Sequence, residues 1–557
     1  MTVMNNILFW ASVLVCVFTL YRRYISKDEL QQKEFVISEK VYRFCLVAAF
    51  ALAVFIRVWQ FGSVPGGFNQ DGAMAAVDGK ALAEYGTDRY GMWMPVHLTA
   101  WGYGQMSALL SYLIAIPVKV FGLSPVTARI PQLLASLAAL WCLYGFMRDT
   151  FSKEAALITT AFAAINPWHI LQSRWALDCN LYPQFFVMGI CFLNKSVQKD
   201  KTRHLVISMV MFGLCMYCYG VSIYTMPVFL LTACIYLLVK KKITWKKAIL
   251  ALLVWLLISW PFILTMAINF LKLDTIQTPF FTIPYFKDSI RSNDILFFSD
   301  QFFAQLKNNF QSLMNTTLLQ RKDLPWNDVE GFGTMYLFSM PFVMTGIFAL
   351  MKEYRKSAGA VFAVFFLLTG VWCGLVTNGV NVNRINIIYF PMIVMGGLGI
   401  YTVIVTCRHI KWGILGVYAI SFVMFTATYF TTYADMIEYY FFQDFGKAVT
   451  SLKDSEAKKL YINIEDAPNL SEILTLFYHD IDAHYYQGNM QGNEIPFQEK
   501  YIFDCIENIE IDPLEDAQYV VKDMEIELFD ASLFEFKQFG DFYVVTPRFK
   551  ISADDSV

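Results

Sequence analysis

The sequence predicts a mainly α, polytopic membrane protein with a small extracytoplasmic α+β domain at its C-terminus. Three observations lead there. Of the 557 residues, 56% are hydrophobic and only 16% charged, against roughly 25% charged in soluble domains. Apolar runs of about 15–22 residues recur, close to the ~20 that a helix needs to cross a bilayer. After Phe430 the acids become dense, and short alternating runs replace the long apolar ones. The expected division is therefore 1–430 for the membrane part and 431–557 for the soluble part.

Positive-inside counting orders the crossings. The first apolar run, "ILFWASVLVCVFTL", has no Lys or Arg before it and no small-residue cleavage site after it, so it is expected to remain as a helix. "YRRYISKDELQQK" is placed inside, and 41–61 then crosses outward. "NKSVQKDKTRH", "KKKITWKK", "KEYRKS" and "CRHIKW" are further basic loops assigned inside. The first outer loop spans 62–125 and a second large one 267–335. "INPWHILQSRWALD", "YGVSIYTMP" and "TNGVNVNR" also fall outside. One apolar stretch, Ser107–Gly122, breaks the parity. It is short, contains Pro117 and carries Lys119, so it is expected to lie against the membrane without spanning. The result is about 12 crossings with both termini outside.

In the C-terminal region, "LYINI", "YVV" and "FYVVTP" read as strands, and "NLSEILTLFYHDI" as a helix between them. No phosphate loop, no Cys/His cluster and no repeat of 20–50 residues is visible. The net charge of −2 and the lack of a basic tail give no footprint for a nucleic-acid partner. Eleven cysteines are scattered mostly through apolar runs, as buried small hydrophobes would be. The Cys215/Cys218 pair lies inside an apolar run with no second pair and no histidine.

The chemistry gathers in the outer loops. "GGFNQDGAMAAVDGKALAEYG" (Gly66–Gly86) reads as a helix from Asp71, with Met74, Val77, Ala81 and Tyr85 on one face. Asp71 and Asp78 project about 20° apart at the edge of that face, and Lys80 points away. Two readings stand at this point. Asp71 is a helix cap and Asp78 a solvated edge residue, or the two carboxylates work together. "TDRYGMWMPVHLTAWGYGQ" follows, with Asp88, Arg89, His97 and Trp101. Its aromatics suit sugar stacking or an interfacial belt, and His97 is a hydrogen-bonded loop histidine or a ligand. His169, Arg174 and Asp178 sit near the ends of two crossings, Arg129 at the start of another helix, and Asn383 and Arg384 at the outer end of a third. A lone arginine at a helix end can snorkel. Three at one face, opposite acids, suit a phosphate or diphosphate head group.

In that order, "VPGGFNQDGAMAAVDGKALAEYGTDRYG", "YLIAIPVKVFGLSPVTARIPQLLASLAALWCLYGFMRD" and "NPWHILQSRWALDCNL" resemble the N-terminal half of GT-C integral-membrane glycosyltransferases. The likeness is to the protein O-mannosyltransferase-like and aminoarabinose-transferase-like group, family thirty-nine and its bacterial relatives, over roughly Val41–Leu193. "NVNRINIIYFP" is similar to a later Arg-containing helix start. In that family the first outer loop opens with Asp-Glu, and its Asp is taken as catalytic. Asp71 matches the Asp, Gly72 stands where the Glu would be, and Asp78 is the carboxylate able to substitute in space. Asp178 matches an outer-loop Asp near the cavity, and Arg129 an Arg at the start of the helix after the loop. The family's amphipathic loop helices agree with a non-spanning Ser107–Gly122.

The resemblance implies an inverting glycosyltransferase of the outer face of a bacterial cell membrane. A polyprenyl-phosphate sugar is the donor, and a hydroxyl of an envelope polymer, lipid or protein the acceptor. Asp71 is the expected general base, assisted by Asp78. Arg384, Arg174, Arg129 and Lys119 are expected at the donor phosphate, and Asp178, His97, Trp101, His169 and Asn383 at the substrates. No cofactor is predicted. Some relatives use a divalent metal, but no strong ligand set is visible here. The alternatives are a transporter or flippase for lipid-linked saccharides, which usually shows internal repeats, and a non-catalytic scaffold binding envelope polymers.

Overall fold

The computed structural model describes residues 2–26, 37–102, 104–287, 302–464, 467–490, 492 and 494–548. Most of the loop that follows the first helix, expected inside, and 288–301 of the loop 267–335, expected outside, lie outside the described residues. In chain order the elements begin with α1 (Thr2–Tyr24), α2 (Glu39–Val58), α3 (Gln70–Tyr85), β1 (His97–Thr99), β2 (Gln105–Ser107) and α4 (Leu109–Phe121). There follow α5 (Pro125–Thr150), α6 (Lys153–Ala164), α7 (Pro167–Gln172), α8 (Asp178–Lys199), α9 (Thr202–Cys215), α10 (Ser222–Val239) and α11 (Trp245–Leu271). Next come β3 (Ile276–Gln277), β4 (Thr282–Ile283), α12 (Phe302–Thr317), α13 (Met340–Ala349), α14 (Ala358–Val376), α15 (Tyr389–Thr406) and α16 (Lys411–Tyr429). The C-terminal part holds α17 (Thr432–Tyr440), α18 (Gln443–Thr450), β5 (Lys459–Ile462), α19 (Pro468–Tyr478), α20 (Ala483–Tyr486), α21 (Phe497–Lys500) and β6 (Tyr501–Ile502). It ends with β7 (Ala517–Lys522), β8 (Phe534–Phe539) and β9 (Phe542–Pro547).

Among the described residues, 8 helices are long and apolar enough to cross a membrane: α1, α2, α5, α10, α11, α14, α15 and α16. The other apolar windows fall on α6, α8, α9 and α13. Of these, α6, α9 and α13 are short, with 12, 14 and 10 residues. Helix α8 is long but opens on the polar run "DCNLYPQ". Helix α4 has 13 residues, about 20 Å at 1.5 Å per residue, too short for a hydrocarbon core of ~30 Å.

The chain forms two compact units. The first comprises Met1–Phe61, Gln132–Leu264 and Arg291–Tyr433. Its centre is α15, buried along almost its whole length, because small residues let neighbours approach. A Cβ on Gly399 would lie 1.8 Å from the Phe342 carbonyl oxygen of α13, and one on Gly346 1.8 Å from that of Met395. On another side, Gly397 lies against Thr159 of α6. A buried polar network ties α7 and α8 to the start of α15. Trp168 Nε1 donates to Asn386 Oδ1 at 2.6 Å, and Asn386 Nδ2 to Asn180 Oδ1 at 3.0 Å. Gln132 Nε2 donates to the carbonyls of Gln172 and Asn180. Each amide would be costly to bury without these partners. Cys215 and Cys218 are buried and carry no disulfide.

The second unit comprises Gly62–Pro131, Thr265–Ile290 and Ala434–Val557. The residues between α2 and α5 thus cluster with the C-terminal sheet. That sheet has five strands in the order β6-β5-β7-β9-β8. Strands β6, β5 and β7 are parallel, while β9 runs antiparallel to both β7 and β8. The β5–β6 connection runs through α19, as a parallel pair requires. Tyr461, Tyr519, Val521, Val545 and Phe534 form its core. In the loop portion, α4 lies against α3, and a Cβ on Gly79 would meet Ile114 Cγ2 at 2.9 Å and the Ser111 carbonyl at 3.0 Å.

Candidate functional site

Within the second unit, α3 is capped by Asn69, whose Oδ1 accepts from Gly72 N at 3.0 Å. Of the two readings of Asp71, the capping one is thereby excluded. Asn is as good a cap as Asp, it stands two residues earlier, and the helix starts at Gln70. This leaves the Asp71 side chain in the first turn, half-buried, with Oδ1 accepting from Trp101 Nε1 at 2.7 Å. Between α3 and Trp101 the loop passes Gly91, at φ +87°, and β1.

Asp78 is not the solvated edge residue of the capping reading. It is wholly buried and holds Arg89, with Oδ2 accepting from Nη1 at 2.6 Å and Oδ1 from the Arg89 backbone N at 3.1 Å. Arg89 Nη2 also donates to the Thr99 carbonyl at 2.9 Å, and the guanidinium lies 4.5 Å from the Tyr90 ring centre. Burial pushes the Asp78 carboxyl up, against the pull of Arg89. Next to it, Asp88 accepts from the backbone N of Tyr90 and Met92 at 3.0 and 2.8 Å. Burial first, and the charge of Asp78 second, raise Asp88 to about 6. This acidic pair and its arginine fasten the loop that carries Trp101.

The remaining expected residues of this unit are dispersed. His97 is buried in β1, edge-on to Phe286. Lys119 is exposed near the end of α4. Arg129 is buried, donates from Nη2 to the Gly67 carbonyl at 2.7 Å and lies over the Phe68 ring. Lys80 points away from the apolar face and binds the Asp480 carboxylate at 2.7 Å.

In the first unit Arg174 is buried at the end of α2. It donates to the carbonyls of Ile56, Trp59 and Gln60 and to Tyr429 Oη, so it closes that helix as basic residues do near a C-terminus. His169 Nδ1 meets Arg57 Nη2 at 2.7 Å, and burial, then the Arg57 charge, hold the imidazole well below its ordinary value. Asp178 opens α8, its Oδ1 accepting from Cys179 N at 2.7 Å. Asn383 and Arg384 are half-buried before α15. The Arg384 guanidinium makes one long bond, 3.4 Å to the Gly379 carbonyl. Among the described residues no group of three or more His, Cys, Asp or Glu could hold a metal ion.

Residues 106–265 match the family model of dolichyl-phosphate-mannose-protein mannosyltransferases. The chain is similar in structure to ArnT from Cupriavidus metallidurans bound to undecaprenyl phosphate. The TM-score is 0.55 at 11% identity, over 91% of this chain and 98% of that one. The apo state of that protein gives 0.54 at 12% identity over the same shares. No curated protein sequence matches the chain. The fold is an ArnT-like GT-C fold.

On this fold the sequence singles out Asp71, Trp101 and the arginines, but not what holds them. Arg57 is missed: it is an ordinary-looking charge in the last turn of α2, yet it donates to the carbonyls of Ala53, Ala163 and Ala164. Asn386, the hub of the polar network, is missed beside its louder neighbours Asn383 and Arg384. Phe477, Asp480 and Asp482, which touch the α3 segment, carry no local signal. One signal was available in principle: "GG" just before Phe68, since paired glycines mark close backbone approach.

Proposed function

We propose that this GT-C chain is an inverting glycosyltransferase. It moves a sugar from a polyprenyl-phosphate donor to a hydroxyl of a cell-envelope acceptor on the outer face of the membrane. The observation that carries the reading is the Asp71 carboxylate, relieved of capping by Asn69 and aimed by the Trp101 indole at 2.7 Å. The dolichyl-phosphate-mannose family match over 106–265 and the ArnT-like fold support the donor class.

Asp71 takes the proton of the acceptor hydroxyl as that oxygen attacks the anomeric carbon. The bond to the lipid phosphate breaks on the opposite face, and the phosphate leaves with the bonding pair. A base of this kind contributes ~10²–10⁴-fold, and a cation near the leaving oxygen adds electrostatic stabilisation. Arg384 is the arginine best suited to a phosphate, because among the described residues its guanidinium is held only by a long bond of 3.4 Å to the Gly379 carbonyl, whereas Arg174 and Arg129 donate to carbonyls at 2.8 and 2.7 Å. Asp78 serves as the anchor of Arg89, and the missing Glu at Gly72 leaves Asp71 as the single carboxylate of the motif. The test is Asp71→Asn in lipid vesicles supplied with undecaprenyl-phosphate sugars. Transfer is expected to fall by ~10²–10⁴-fold; transfer at the wild-type rate refutes the assignment.

A further inference from the structure

The three residues that lead into α3 are enclosed by C-terminal residues of the same unit. Phe68 N donates to the Phe441 carbonyl at 2.7 Å. Gly67 has φ +69°, and a Cβ there would stand 2.2 Å from that same oxygen. A Cβ on Gly66 would stand 2.0 Å from Gln443 Oε1. The Phe68 ring, almost fully buried, stacks on Phe477 with centres 4.5 Å apart and planes within 5°, while Arg129 lies 5.2 Å from its centre. Further along α3, Lys80 Nζ binds both the carboxylate and the carbonyl of Asp480 at 2.7 Å. At the far end, Tyr85 Oη donates to Asp482 Oδ2 at 2.5 Å, and the Tyr85 ring stacks on His484 at 3.6 Å. The loop after α3 is held as well, by Gln487 Nε2 donating to the Arg89 carbonyl at 3.1 Å.

We propose that Phe477 is a positioning residue for Asp71, and that the C-terminal region is a working part of the site. The proposal rests on the reading of Asp71 as the base. A helix is a stiff rod, so fixing Phe68 at one end and Tyr85 at the other fixes the first turn between them. Asp71 lies three residues past Phe68, and its bond to Trp101 depends on where that turn sits. The glycines show how close the fit is: no side chain fits at Gly67 unless the Phe441–Gln443 backbone withdraws, and one at Gly66 would have to displace the Gln443 and Glu438 side chains. A displacement of ~1 Å at a reacting group costs on the order of 10²-fold in rate.

The experiment places 5-fluorotryptophan at position 101 of the full chain in nanodiscs and reads its fluorine resonance. Kinetics with an undecaprenyl-phosphate sugar run in parallel. Phe477→Ala and Gly67→Ala are expected to move the resonance toward its position in Asp71→Ala. They should lower kcat by about 10²-fold with KM little changed, as for an interaction felt in the transition state. Val545→Ala weakens the sheet core without touching α3, so it controls for general loosening and should leave the resonance in place. A wild-type resonance in both Phe477→Ala and Gly67→Ala overturns the proposal. Wild-type transfer by Asp71→Asn would instead remove the base assignment, while the resonance still reports whether Phe477 places the turn.

Discussion

Replacing Asp78 by alanine should open the loop that follows α3. The side chains of Asp78 and Arg89 are 0% and 2% exposed, so the substitution strands a guanidinium where water cannot reach it. It also removes the acceptor of the Arg89 backbone N–H, which donates at 3.1 Å. Breaking a buried pair by removing one partner costs ~3–5 kcal/mol. At about 1.4 kcal/mol per factor of ten, that corresponds to roughly 10²–10⁴-fold faster hydrogen exchange at the Arg89 amide. The assay is exchange followed by mass spectrometry on the full chain in nanodiscs. Asp78→Ala combined with Arg89→Met should cost less than Asp78→Ala alone, because no uncompensated charge remains. The Asp88 carboxyl should also titrate below its value of about 6 in Asp78→Ala, since the charge of Asp78 is one cause of that elevation, after burial. An increase in exchange of less than about tenfold, ~1.4 kcal/mol, would refute the anchoring role.

Two further predictions concern stability. Gly399→Ala drives a methyl group into the Phe342 carbonyl and should destabilise the chain by ~3 kcal/mol or more, the upper range for overpacking. Gly416→Ala on α16, where nothing lies within 4 Å, should be neutral or slightly stabilising. Thermal unfolding in nanodiscs reads both. His479 is buried between the Val449 carbonyl at 2.7 Å and Tyr501 Oη at 3.1 Å, and burial pushes it down to about 4. With the folded value below the unfolded ~6.5, the unfolded chain binds the extra proton between these limits. The stability contribution is therefore complete above pH ~6.5 and is lost as pH falls through about 4, by up to ~3 kcal/mol. His479→Gln should flatten that part of the pH profile, and an unchanged profile would show that His479 does not set it.

What the sequence discloses here is what lies within a few turns of itself. The apolar helices follow from run length, and β5, β7, β9 and α19 follow from alternation and period inside "LYINI", "YVV", "FYVVTP" and "NLSEILTLFYHDI". The choice between a capping and a free Asp71 stays open in the sequence, because Asn69 and Asp71 have equal capping propensity and only geometry chooses between them. Arg89 and Asp78 are 11 residues apart, within one reading window, yet nothing in their spacing reports that the loop folds back to pair them. Strand β8, "FEFKQF", alternates like its neighbours but is broken by exposed polar residues, as suits an edge. The Phe68–Phe477 stack and the α3 contacts to Asp480 and Asp482 join residues whose partners no local pattern can name.

Those contacts also set a timetable. Lys80 and Asp480 are 400 residues apart. At ~5–20 residues per second, roughly 20–80 s pass between the synthesis of one and the other. Throughout that interval the Gly66–Phe68 turn has been made but its cover has not. A chain stopped by a late nonsense codon would keep its membrane helices and its Asp71 and still lack the Phe477 ring. Premature termination after the last crossing should therefore be as damaging to the placement of Asp71 as loss of the loop itself.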